Sequence, residues 1–147
     1  MIKVCDLQEQ YMKIRDEILQ GIDKLCCDSS FIGGDYLKNF EKEFILSHKA
    51  KFGLGCSNGT SAILLALKAL GIGVGDEVIL PSHTFIATAE AICHAGAKPV
   101  FCDINPLDYT IDYNHANSKI SKKTKAIIPV HIYGTPCDMN EILELAN

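Results

Sequence analysis

Apolar side chains return every three or four positions at the start of the chain. Tyr11, Ile14, Ile18, Ile22 and Leu25 lie on one face of a helix predicted over 7–25. A break, CDSSFIGGDY, follows, in which Gly33 and Gly34 are free to take left-handed dihedrals. Asp35 stands where an N-cap would open a second helix through YLKNFEKEFILSH. Beyond residue 50 the rhythm changes. Short apolar runs bounded by turn residues predict strands at 52–56, 77–81, 99–103 and 126–131. Helical stretches at 59–70, 84–95 and 113–120 separate them. Gly71 and Gly96 fall where helices should stop.

Continuous apolar strands alternating with helices predict an α/β fold, with a mostly parallel sheet covered on both faces. Two segments are expected: an N-terminal helical segment, 1–50, and the first part of an α/β domain, 51–147. Pro129 sits inside the last predicted strand, where a missing donor marks an edge, a bulge or a strand start. Near the end, Asp138 and Glu141 form a capping-box pattern ahead of Met139, Ile142, Leu143 and Leu145. That helix should still be running at Asn147, so the sequence reads as the N-terminal portion of something longer.

Composition narrows the function classes. The net charge is −4 with the five histidines taken as neutral, which leaves no basic stripe for nucleic acid. Lys122, Lys123 and Lys125 are the one basic cluster and read as a solvated loop. Seven cysteines, an odd number without a C-x-x-C pair, fit neither a disulfide framework nor a zinc site. They read as buried, reduced thiols in a cytosolic protein. No apolar run is long enough to span a membrane, and no signal-peptide pattern opens the chain. No metal site is expected.

In an open α/β sheet, ligands bind outside the carboxyl ends of the strands. The four predicted ends carry Ser57–Ser61, then Ser82, His83, Thr84 and Phe85, then Asp103, Ile104 and Asn105, then His131, Tyr133 and Gly134. The first, SNGTS, combines a glycine, two hydroxyls and the start of a helix, and suits a phosphate. It equally suits a simple helix cap. A dinucleotide loop does not fit: after Gly53 and Gly55 the third glycine position is Asn58, and the next strand ends in LPSH without an acid. No Walker A lysine pattern is present. Phe85, in the first turn of the predicted helix 84–95, could stack on a planar ring or pack in the core. His83 and His131 could act as acid–base groups or serve as hydrogen-bonded structural residues.

These motifs, taken together, resemble the DegT/DnrJ/EryC1/StrS family of sugar aminotransferases. The stretch SNGTSAILLALKALGIGVGDEVILPSHTFIATAEAICHAGAKPVFCDINPLDYTID carries the resemblance, with KTKAIIPVHIYGTPCDM after it. SFIGGDYLKNFEKEF is similar to the family's early segment. The order of G-T-S, G-D-E-V-I-x-P-x-x-T-F and P-V-H-x-Y-G is the specific signal. The resemblance implies the large domain of a fold-type I pyridoxal-phosphate (PLP) enzyme, a three-layer αβα structure, here incomplete. It implies that Gly59, Thr60 and Ser61 hold the cofactor phosphate and that Phe85 stacks on the pyridine ring. Phe31, Gly33 and Gly34 resemble a segment near the substrate pocket, and His83 and His131 are further candidates there. The implied reaction converts a nucleotide-linked keto-sugar to an amino-sugar with glutamate as donor, in a homodimer. The Schiff-base lysine and the acid at the pyridine nitrogen are expected beyond Asn147, so no catalytic residue is assigned in this chain. A PLP-dependent sugar dehydratase of the same fold, with histidine in place of that lysine, stays open. So does a non-catalytic Rossmann-like binding domain.

Overall fold

A computed structural model describes residues 5–147 of the chain. It divides into two compact units, one ending at Gly55 and one running Cys56–Asn147.

The first unit holds two helices. α1 (Leu7–Cys27) opens on Asp6, whose carboxylate accepts the Glu9 N–H at 3.0 Å. Lys13 pairs with Glu9 one turn on, at 2.9 Å. α2 (Gly34–Ser47) begins two residues earlier than expected, with Gly33 as its N-cap, so Asp35 sits in the first turn rather than at the cap. The carboxylate is still well placed there, close to the positive end of the helix dipole. The amphipathic stripes are real, yet neither helix has a buried residue. Two helices alone offer too little opposing surface to cover two apolar stripes.

Residues 52–56, expected as a strand, form none. A strand needs a ladder partner, and residues 53–55 instead run close against α2. The Gly55 N–H donates to Glu41 Oε1 at 2.7 Å. A Cβ on Gly53 would lie 2.8 Å from Ile45, and one on Gly55 2.6 Å from Leu37. Close packing on α2 therefore accounts for the G-x-G pattern that looks like half of a nucleotide loop.

The second unit is the α/β part. Its elements are α3 (Gly59–Ala69), β1 (Glu77–Pro81), α4 (Ala87–Ala95), β2 (Lys98–Cys102), α5 (Tyr113–Ser118), β3 (Thr124–Ile127), a short 3₁₀ turn (Ile132–Gly134) and α6 (Met139–Ala146). The sheet order is β2-β1-β3, and both pairings are parallel. Alternation along β1 divides the core between the two faces. Val78 and Leu80 pack with Leu67 and Ile72 and with Ala89, Ile92 and Ala95 of α4. Ile79 faces the other way, with Cys102, Ala116, Cys137 and Ile142. Cys102 and Cys137 are the two buried cysteines; Cys5, Cys26, Cys27, Cys56 and Cys93, expected to be buried, are exposed, because they lie outside these two clusters. Helices thus cover both faces of the sheet, which is the three-layer α/β arrangement expected.

β3 ends sooner than the sequence suggests. The Ile128 N–H still reaches the Ile79 carbonyl at 2.8 Å. Pro129 follows with no N–H to continue the ladder, so it lies just past the strand. The helix expected from residue 84 begins at Ala87, because residues 82–86 form a bend before it.

Candidate functional site

The turn into α3 is built from its own small polar side chains. Asn58 caps the helix in an extended conformation, its Oδ1 accepting the Ser61 N–H at 2.8 Å. The Asn58 amide donates to Ser57 Oγ at 3.2 Å, and Ser57 Oγ lies 3.1 Å from Ser61 Oγ. Residues 57 and 58 thereby fold the turn and leave its leading edge open. Among the described residues, no hydrogen bond engages the N–H groups of Gly59 or Thr60, and no carboxylate bonds to the turn. A Cβ built on Gly59 meets nothing within 4 Å. The donor set is thus two free first-turn N–H groups, neighbouring hydroxyls and open space, at the positive end of an 11-residue helix. That chemistry fits a phosphate. The cap leaves room for an anion, because Asn58 uses the Ser61 N–H and leaves the two N–H groups before it.

The loop after β1 presents a second group. Ser82 keeps the sheet register, donating its N–H to the Cys102 carbonyl at 2.9 Å. Thr84 Oγ1 lies 3.1 Å from Thr88 Oγ1, which helps open α4 where no side-chain cap is made. Phe85 lies two residues before α4 rather than in its first turn, and it is 78% exposed. Core packing therefore does not explain it. An exposed phenyl ring at a strand's carboxyl end is available to cover a planar ligand.

His83 leaves the same loop towards the segment after β3. Its Nε2 lies 3.0 Å from the Tyr133 hydroxyl, and its ring is edge-on to Tyr133 at 5.7 Å. A second tyrosine, Tyr109, approaches the same imidazole at 6.2 Å. Tyr109 sits in the loop after β2, which is closed by the Tyr109 N–H on the Asn105 carbonyl at 2.8 Å and the Asn105 N–H on the Thr110 carbonyl at 2.9 Å. Sequence reasoning does not single out Tyr109. Its only signal there is an aromatic residue among the turn formers Asn105 and Asp108.

His131 is held differently. Its Nδ1 accepts the Cys137 N–H at 3.0 Å, which places the proton of the neutral ring on Nε2. Asp103 is exposed at the end of β2. Its N–H donates to His115 Nδ1 at 2.9 Å, and its carboxylate accepts the Ile104 N–H at 3.0 Å.

The structure therefore joins His83 to Tyr109 and Tyr133, and joins Ser57, Asn58 and Ser61 into one turn. Among the described residues, no hydrogen bond or ring contact links Phe85 to that turn. Phe31, Gly33 and Gly34 belong to the other unit. There Phe31 is 66% exposed, and both glycines have positive φ, 71° and 84°. Lys68 points away from any catalytic role: its Nζ donates to the Ala95 carbonyl at 2.7 Å, at the far end of α4. Lys125 is exposed on β3. Among the described residues no helix is long and apolar enough to cross a membrane.

Comparison with known proteins adds an independent line. The family model for DegT/DnrJ/EryC1/StrS aminotransferases matches residues 12–147. A UDP-N-acetyl-3-dehydro-alpha-D-glucosamine 3-aminotransferase of Acidithiobacillus ferrooxidans is 48% identical over 145 residues, covering 99% of this chain and 39% of that protein. A protein of Geobacillus stearothermophilus described as a pleiotropic regulatory protein is 47% identical over 145 residues, with the same coverage of 99% and 39%. The crystal structure of NtdA from Bacillus subtilis, with bound cofactor PMP, is similar with a TM-score of 0.88 at 37% identity. It matches 92% of this chain and 31% of that one. The chain spans about two fifths of the length of these curated relatives.

Proposed function

The chain belongs to the DegT/DnrJ/EryC1/StrS aminotransferase family, and on that premise we propose that it supplies the phosphate-holding part of a PLP site. The enzyme would transfer an amino group from glutamate to the keto carbon of a nucleotide-linked sugar. The observation that carries the reading is the open first turn of α3, where among the described residues two N–H groups are unengaged and no carboxylate is hydrogen-bonded.

Gly59, Thr60 and Ser61 hold the phosphate in this reading. The N–H groups of Gly59 and Thr60 donate to it, and the hydroxyls of Thr60 and Ser61 add to the donor set. Phe85 covers one face of the pyridine ring. Bound PLP supplies the electron sink that the protein side chains lack. His83 and His131 contribute to the sugar side, and Phe31, Gly33 and Gly34 are assigned a substrate-binding role on the family resemblance alone. His131 offers its Nε2–H there, since Nδ1 is already occupied.

A transaminase also needs a lysine to move the proton. Lys68 and Lys125 are not placed for it, and no lysine of these 147 residues is assigned that role in this proposal. Residues 51–147 then form the first part of the PLP-binding domain, and the enzyme works as a cytoplasmic homodimer.

The test uses the full-length protein loaded with PLP. Glutamate should convert the bound cofactor's absorption to that of the amine form, and a nucleotide-linked keto-sugar should restore it. A protein that takes up no PLP would contradict the reading.

A further inference from the structure

Four residues other than glycine have positive φ among the described residues: Ser29, Lys49, Tyr109 and Tyr133. Ser29 and Lys49 directly follow the C-caps of α1 and α2, where the left-handed conformation ends a helix. The two tyrosines follow no such cap. They come from different loops, after β2 and after β3, with φ of 64° and 55°. Both rings meet at one imidazole, that of His83, in the loop after β1. A bulky side chain in this backbone region persists where the surroundings hold it there. Burial does not hold these two, since they are 50% and 79% exposed. The contact with His83 is the interaction they share.

We propose that Tyr109 and Tyr133 are positioning residues that brace the loop of residues 82–86 through His83 and so fix the placement of Phe85. This rests on the reading that Phe85 covers the PLP ring. The Tyr133 hydroxyl anchors His83 Nε2 at 3.0 Å, and Tyr109 supports the ring from the loop after β2. His83 is two residues from Phe85, and the Phe85 carbonyl accepts the Thr88 N–H at 3.1 Å. The backbone between brace and helix is thus tied at both ends. The brace joins the loops after all three strands of the sheet, so it sets the position of one ring against the whole strand rim.

The experiment compares Tyr133→Phe, His83→Gln and His83→Phe in the PLP-loaded full-length protein. It reads the visible circular dichroism of the bound cofactor and its dissociation rate, with thermal melting beside them. Tyr133→Phe keeps the ring and loses the hydrogen bond. It should change the dichroic band and speed cofactor loss by about 2- to 10-fold, the range of one net hydrogen bond. His83→Gln, which can still bond to Tyr133, should restore most of the wild-type signal, while His83→Phe should not. An unchanged band and dissociation rate in Tyr133→Phe and His83→Phe would overturn the brace. So would a drop in melting temperature with the band unmoved, because that describes a structural role only. Failure of the wild-type protein to take up PLP would overturn both the brace and the PLP reading.

Discussion

Gly59→Ala separates the needs of the fold from the needs of a ligand. Gly59 is the first residue of α3, and its φ is not in the left-handed range. An added Cβ would meet no atom of the protein within 4 Å. The substitution should therefore stabilise the bare protein by about 0.4–1 kcal/mol, mainly by narrowing the unfolded ensemble. For a chain of this size that is a rise in melting temperature of about 1–4 °C. Binding should move the other way. The methyl group enters the space beside the two unengaged N–H groups, where the phosphate is proposed to sit. Losing one charge-assisted hydrogen bond costs about 1.5–3 kcal/mol, which weakens PLP binding by about 10- to 150-fold. Melting without cofactor gives the first number, and a PLP titration of the full-length protein gives the second. A lower melting temperature would refute the open-space reading of Gly59. A higher one with unchanged PLP affinity would mean that no phosphate approaches this turn.

Asn58→Ala removes the cap on α3 and should destabilise the protein by about 1 kcal/mol, read from denaturant unfolding. Cys102 gives a pH prediction. Burial, with the charge of Asp112 adding to it, pushes its thiol up to about 11, from an ordinary 9.0. The folded state thus holds the proton more tightly than the unfolded state does. Stability from this group is complete below pH 9 and is lost as the pH rises towards 11. Replacing Cys102 with Ala should flatten that part of the stability profile. An unaltered slope would contradict the assignment.

The sequence disclosed the α/β part where local signals agreed with the sheet. Glu77–Pro81 reads as an apolar run and is the central strand, paired on both sides. Asp138 marks the start of α6 in the sequence and accepts two first-turn N–H groups there, while SNGTS marks the start of α3 and the structure assigns its cap to Asn58. What failed depended on partners distant in the chain. Residues 52–56 have the composition of a strand, but Phe52 and Leu54 are 90% and 83% exposed without a ladder to join. The glycines there answer to Ile45 and Leu37, a contact that no local pattern announces.

The site was legible for a similar reason and to a similar extent. SNGTS is a local device, so its residue types disclose the cap and suit the phosphate proposed to sit there. The periodicity of 84–95 continues back through the bend, so the sequence alone puts Phe85 inside a helix. Its exposure, which removes the core alternative, needed coordinates. The meeting of Tyr109, His83 and Tyr133 spans 50 residues from His83 to Tyr133. Only the parallel sheet, which brings three strand ends to one rim, could reveal it.

The most direct test of the phosphate grip is the PLP affinity of the full-length protein with Thr60 and Ser61 both replaced by Ala. The account predicts that the wild type takes up PLP and that the double variant loses affinity by at least about 10-fold, at 1.5–3 kcal/mol for each charge-assisted hydrogen bond removed. A double variant that retains PLP as tightly as the wild type would contradict it.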